Sequence, residues 1–237
     1  MSLAGQIALV TGASRGIGAA TAVELACRGA HVVITARSQG GLEETDDRIR
    51  AVGGTATLLP LDLQDVASVD ALGPSIFERF RRLDILVSNA GEVGTLTPVP
   101  DIRIDDWDEA MAVNVGATLR LIRTTARLLL AAPAGRAAFV SSRIVVRAPA
   151  YFAMYGATKA AAHYLVQSWA EETRNTNLRV NLIDPGPVAT RLRRQAFPGE
   201  DQTNVPAPEA VAGGIADVCG PAETRHGDFI RVSPIPL

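Results

Sequence analysis

The amino-acid sequence predicts an α/β fold: a doubly wound sheet of about seven parallel strands with helices on both faces. Three observations carry that expectation. Short apolar runs alternate with longer amphipathic stretches from one end of the chain to the other. The short runs are continuously apolar, as strands are when a parallel sheet is covered on both faces. No Pro/Gly/Ser-rich linker and no repeat divides the 237 residues, a length that suits one large domain better than two.

The elements follow in order. A first strand at 7–10 enters a glycine-rich turn, and a helix follows at 16–29. A second strand at 31–36 leads to a helix at 39–52, and a third at 57–61 to a helix at 66–81. The fourth strand, 85–88, precedes a long helix at 104–131, and the fifth, 137–141, a helix at 152–175. The sixth strand is 180–183, and a last helix at 207–219 leads to the seventh at 229–232. Residues 190–206 show no period and read as a polar loop, expected to form a lid over substrate. Such strand–helix–strand units are right-handed, and ligands bind beyond the carboxyl ends of the strands. The residues after each strand are therefore the candidates.

Composition narrows the function classes. Hydrophobic residues make up 47% and charged residues 20%, with net charge −2, so a nucleic-acid partner is not expected. The two cysteines, Cys27 and Cys219, fit no zinc or CxxC spacing, and no metal site is expected. Reduced thiols and a cytoplasmic location are the expectation. The start MSLAGQIALVTG carries no leader pattern, and the apolar run near residue 130 is broken by Pro133, so no membrane span is expected.

The turn after the first strand reads Thr11-Gly12-Ala13-Ser14-Arg15-Gly16-Ile17-Gly18. Glycines let a backbone approach a pyrophosphate, and the following helix N-terminus offers free N–H groups and positive dipole. The spacing is GxxxGxG, not the commoner GxGxxG, and a plain tight turn is the competing explanation.

A second signal is Lys159, the only lysine; the other 22 basic residues are arginine. It lies four residues after Tyr155, one of three tyrosines, so the two share a helix face. A compact ammonium is not interchangeable with a planar guanidinium. A cation about 4 Å from a phenolate in a partly shielded site interacts by on the order of 4 kcal/mol. That is enough to lower a phenol from about 10 by roughly three pH units, into the range of acid–base work.

Together the motifs resemble the short-chain dehydrogenase/reductase family, in its short single-domain form and its 3-oxoacyl-acyl-carrier-protein reductase-like members. Gly12/Gly16/Gly18, then Asn89-Ala90-Gly91 after strand four, then Tyr155-x-x-x-Lys159 after strand five stand in the family's order over essentially the whole chain. The resemblance implies a single Rossmann-type NAD(P)-binding domain over 1–237. It implies hydride transfer between a nicotinamide and a small carbonyl or alcohol substrate, in a homodimer or homotetramer.

Site roles follow from the resemblance. Tyr155 is the acid/base, Lys159 tunes it and holds the nicotinamide ribose, and Ser142 bonds the substrate oxygen. Ser142 lies thirteen residues before Tyr155, a spacing that favours it over Ser141. Asn114 would hold a water relaying protons to Lys159, with purely local bonding as the equal alternative. The cofactor would touch Gly12, Ser14, Arg15, Gly16, Ile17 and Gly18; Arg37, Asp62 and Leu63; Asn89, Ala90 and Gly91; Tyr155 and Lys159; and Pro185, Gly186, Val188 and Thr190. Asp62 has a competing reading as a cap for the helix at 66.

Strand two ends Thr35-Ala36-Arg37-Ser38, without the acid that binds a ribose 2′-OH. Arg15 and Arg37 suit a 2′-phosphate, so NADP(H) is expected over NAD(H), although Arg37 also reads as a solvated loop charge. Two positions depart from the family. Asp184 replaces an Asn and adds a negative charge near the site. The chain ends Arg231-Val-Ser-Pro-Ile-Pro-Leu237 in place of Asp-Gly-Gly, which favours a dimer through the helices at 104–131 and 152–175. Arg191, Arg193 and Arg194 would greet an acidic substrate, but a solvated face in an arginine-rich chain is the commoner reason for such a run. The rival to an enzyme is an NADP-binding regulator with the fold and no turnover; the four filled catalytic positions argue against it.

Overall fold

The structure is a computed structural model that describes residues 2–235. Seven parallel strands form one sheet in the order β3-β2-β1-β4-β5-β6-β7. In chain order they are β1 Ile7–Thr11, β2 His31–Ala36, β3 Thr55–Pro60, β4 Ile85–Ser88, β5 Arg136–Val140, β6 Arg179–Asp184 and β7 Phe229–Arg231. The helices are α1 Gly16–Cys27, α2 Gln39–Ala51, α3 Val66–Asp70, α4 Leu72–Phe80, α5 Ile104–Met111, α6 Ala117–Ala131, α7 Ala153–Thr173, α8 Arg191–Ala196 and α9 Glu209–Val218.

The central strands are largely apolar because they feed two cores. Ala8 and Val10 of β1 join Val32, Ile34, Leu25, Val211 and Ile215 on one face. Leu9, between them, joins Val33, Leu86, Leu121, Phe139 and Trp169 on the other. Successive strand side chains point to opposite faces, so a strand covered twice has no polar side. The order of strands reverses between β1 and β4. That leaves a crevice at their carboxyl ends, where this class of sheet takes its ligands.

Three expectations need correction. The helix expected at 66–81 is two helices, α3 and α4, meeting at Ala71. Pro74 has no N–H for the Asp70 carbonyl, which instead accepts the Thr124 hydroxyl of α6 at 2.8 Å. The helix expected at 104–131 is interrupted by a π turn, Ala112–Gly116, in which the Ala117 N–H reaches back to the Ala112 carbonyl. The stretch read as a loop at 190–206 contains α8, capped by Thr190 Oγ1 accepting from the Arg193 N–H at 3.1 Å. Only six residues long and mostly polar, α8 shows no apolar period; the Thr cap was its one signal. No helix among the described residues is long and apolar enough to cross a membrane.

Candidate functional site

A cleft of about 1440 Å³ opens along the carboxyl ends of the strands. Of the candidate catalytic and cofactor-binding residues, Gly18 and Asn114 do not line it, and the others do.

The glycine turn forms its floor. Gly12 and Gly16 sit at φ +65° and +57°, a region that favours glycine. A Cβ on Gly12 would lie 2.9 Å from the Ala90 Cα. Gly18 serves the packing behind the turn: a Cβ there would come within 2.5 Å of Asn89 Nδ2 and closer still to the Gly12 carbonyl. Asn89 braces the same turn, donating from Nδ2 to the Thr11 carbonyl at 3.0 Å. Thr11 Oγ1 accepts from the N–H groups of Asn89 and Ala90 at 3.0 and 3.1 Å. The N-terminus of α1 has neither a side-chain cap nor an acidic residue in its first turn, so its N–H groups and dipole face the cleft unmet. This cradle, which side chains would fill, fits a dinucleotide pyrophosphate.

At the end of β2, Arg37 is exposed on the cleft wall, as is Arg15 at the turn, and neither makes an ion pair among the described residues. Asp62 does not cap α3; Asp65 does. Asp62 instead accepts from the Gln64 N–H at 3.0 Å and lines the cleft beside Leu63. Sequence reasoning missed Glu92. It follows Asn89-Ala90-Gly91 directly and lines the cleft. Burial pushes its carboxyl up, reinforced by Glu109, while Arg37 pulls it down.

The chemistry-bearing side chains gather where β5 and α7 meet. Ser142 follows β5; its hydroxyl accepts from the Ile144 N–H at 3.3 Å, and it lines the cleft with Tyr155. Lys159, one turn along α7, donates from Nζ to the Val140 carbonyl at 3.0 Å and lies 6.0 Å from the Tyr155 ring centre. A Cβ on Gly91 would lie 3.3 Å from Nζ, so the ammonium occupies a narrow slot. Burial pushes Tyr155 up to about 12, and only the Ser142 hydroxyl nearby opposes it. Burial brings Lys159 down to about 8. The direction for Tyr155 is opposite to the lowering expected from Lys159. Nζ is turned to the Val140 carbonyl, and no charge contribution from Lys159 offsets the desolvation of the buried phenol.

Asn114 is buried in the π turn, outside the cleft. Its Nδ2 donates to the Glu92 carbonyl and to Thr158 Oγ1, both at 2.9 Å, and its Oδ1 accepts from the Glu92 N–H at 3.0 Å. The amide is fully committed to local groups.

Beyond β6, Pro185, Gly186, Val188 and Thr190 line the cleft. Asp184 does not add an uncompensated charge. It is buried, pairs with Arg231 at 2.9 Å and accepts from the Gly186 N–H at 3.0 Å. Both departures from the family pattern thus meet in space. Arg191 and Arg193 both line the cleft, and Arg193 also ion-pairs with Glu200 and stacks 4.0 Å over Phe197. Arg194 is exposed and outside the cleft lining.

Comparison with known proteins agrees with this geometry. The family model described as short chain dehydrogenase matches residues 6–201. The uncharacterized oxidoreductase YciK of Escherichia coli (strain K12) is 35% identical over 87% of this chain and 82% of its own length. The 3-oxoacyl-(acyl-carrier-protein) reductase FabG of Salmonella typhimurium is 34% identical over 82% of this chain and 78% of its own. A solved structure from Shigella flexneri 2a strain 301, described as a short chain dehydrogenase complexed with NADP, superposes with TM-score 0.92 at 31% identity. It covers 97% of this chain and 98% of that one.

Proposed function

The chain belongs to the short-chain dehydrogenase family, and on that premise we propose that it is an NADP(H)-dependent oxidoreductase acting on a ketone, a 3-oxoacyl compound or the corresponding secondary alcohol. The observation that carries the reading is the Ser142–Tyr155–Lys159 group, with its phenol buried, set into the wall of a cleft whose other half is a glycine cradle.

When bound, the nicotinamide supplies or accepts the hydride, and the protein supplies placement and protons. The glycine turn and the free N-terminus of α1 would hold the pyrophosphate. Arg15 and Arg37 would clamp a 2′-phosphate, with no acid at the end of β2 to repel it. The NADP held by the Shigella flexneri relative supports the same choice. Ser142 would bond the substrate oxygen as charge develops there. Tyr155, kept protonated by its burial, would deliver the proton that turns that oxygen into a hydroxyl. Lys159 would return a proton to Tyr155 and bond the cofactor ribose; its narrow slot beside Gly91 suits an ammonium and not a fork. Leu119 and Leu130 of α6 and Tyr164 of α7 are exposed apolar side chains, which supports a homodimer across those helices.

The test follows NADPH consumption over ketones, aldehydes and 3-oxoacyl thioesters, with an NADH arm. Turnover in the wild type that disappears in Tyr155→Phe is the expected result. Tight NADPH binding with no turnover over that panel would favour the regulator.

A further inference from the structure

Lys159 also lines a second space, a separate chamber of about 20 Å³. That is room for one water, which needs two to four polar partners to settle there. The polar wall residues are Ser88 at the end of β4, Asn114 and Thr118 from the π turn and α6, Ser141 after β5, and Lys159 and His163 from α7.

Asn114 is a poor exit for a proton from this chamber. Its amide is committed to Glu92 and Thr158, and its carbonyl accepts the Thr118 hydroxyl at 2.9 Å. Ser141 offers another route. It is buried, and its hydroxyl stands 3.3 Å from His163 Nδ1. His163 is four residues past Lys159 on α7 and so shares its face. Its ring is held edge-on against Phe229 of β7, centres 5.0 Å apart. Unlike Ser141 it keeps partial exposure to solvent. Across β4, β5, β6, the π turn, α6 and α7, the titratable groups on the chamber wall are Lys159 and His163.

We propose that His163, through the Ser141 hydroxyl and a water in this chamber, is the relay residue that exchanges the catalytic proton of Tyr155 and Lys159 with solvent. In reduction the Tyr155 O–H bond breaks as an O–H bond forms on the substrate oxygen. Lys159 returns a proton to Tyr155, the chamber water returns one to Lys159, and Ser141 hands the water a proton drawn from His163. His163 takes its replacement from solvent. The electrons travel with the hydride, so this path carries protons alone. Oxidation runs the same path outward. Burial holds the His163 imidazole below the usual histidine range, which eases release of its proton inward.

The inference rests on the oxidoreductase reading above, and its test separates the two. His163→Phe keeps an aromatic ring against Phe229 and removes both ring nitrogens; Ser141→Ala breaks the path one step earlier. In each variant kcat should fall by roughly tenfold, less than the 10²–10⁴-fold of a full acid–base residue because solvent leaks in by other routes. NADPH affinity, read by fluorescence titration, should not change. The wild-type kcat profile for reduction should decline as pH rises through an inflection below the usual histidine range, and His163→Phe should lose that inflection. Without substrate, the His163 ring titration read by NMR should move upward in Lys159→Met, because a neighbouring cation has gone. Wild-type kcat and pH profile in both variants, or a His163 titration indifferent to Lys159→Met, would overturn the relay and leave the oxidoreductase standing. A wild type that binds NADPH and reduces nothing would remove the oxidoreductase reading and the relay with it.

Discussion

The two halves of the cleft are built by different means. The half at β1, β2 and β4 is backbone: glycines at positive φ, a bare helix N-terminus, and Asn89 and Thr11 bracing the turn from behind. The half at β5, α7 and β6 is side chain: a phenol, an ammonium and a hydroxyl, set by burial and by a few bonds. A backbone site tolerates no added atom at its contacts, whereas a side-chain site tolerates change in shape and fails on change in chemistry. The first half should therefore govern binding and the second turnover.

The sharpest way to break that division is to remove the proton donor. Tyr155→Phe should lower kcat by roughly 10²–10⁴-fold in steady-state assays. Next is Gly18→Ala, whose methyl would press on the Gly12 carbonyl and Asn89. A forced shift of the turn should weaken NADPH binding at least about tenfold and lower stability by about 1–3 kcal/mol, read by titration and by urea unfolding. Arg37→Ser should cut the preference for NADPH over NADH by roughly tenfold or more, the worth of one charge-assisted phosphate contact. A competition of kcat/KM values would show it.

Lys159→Met probes the second half without cofactor. The ammonium of Lys159 sits near 8 in the folded protein against 10.5 for the free group. The folded state holds fewer protons than the unfolded one between those values, so this group weakens the fold below about pH 8, and that penalty fades as pH rises to about 10.5. The variant should be more stable than the wild type at pH 7, by on the order of 2–3 kcal/mol. The advantage should vanish above pH 10.5. Smallest is Arg194→Ala, exposed and without an ion pair among the described residues, which should move stability by less than about 0.5 kcal/mol.

The same contrast explains what the sequence made legible. The succession of strands and helices and the glycine turn could be read because they depend on residue type at fixed spacing: continuous apolar runs, and glycines between a strand and a helix. Tyr155, Lys159 and Ser142 could be placed by spacing, but the direction of the Tyr155 shift could not, since it depends on how deeply the phenol is buried. The break at Ala71 hinges on the Asp70 carbonyl, left without an N–H by Pro74, meeting the Thr124 hydroxyl 54 residues along the chain. The Asp184–Arg231 pair likewise joins residues 47 apart, so the sequence showed two departures and not their compensation. Glu92 and the chamber beside His163 carried no pattern at all; they appear only once β4, β5 and α7 are packed.

The most direct test of the division titrates NADPH into wild type and Tyr155→Phe and follows turnover of the best carbonyl substrate in the same preparations. Unchanged affinity with turnover lost in the variant is the predicted result. Turnover that survives without the phenol, or affinity that falls together with it, would contradict the account.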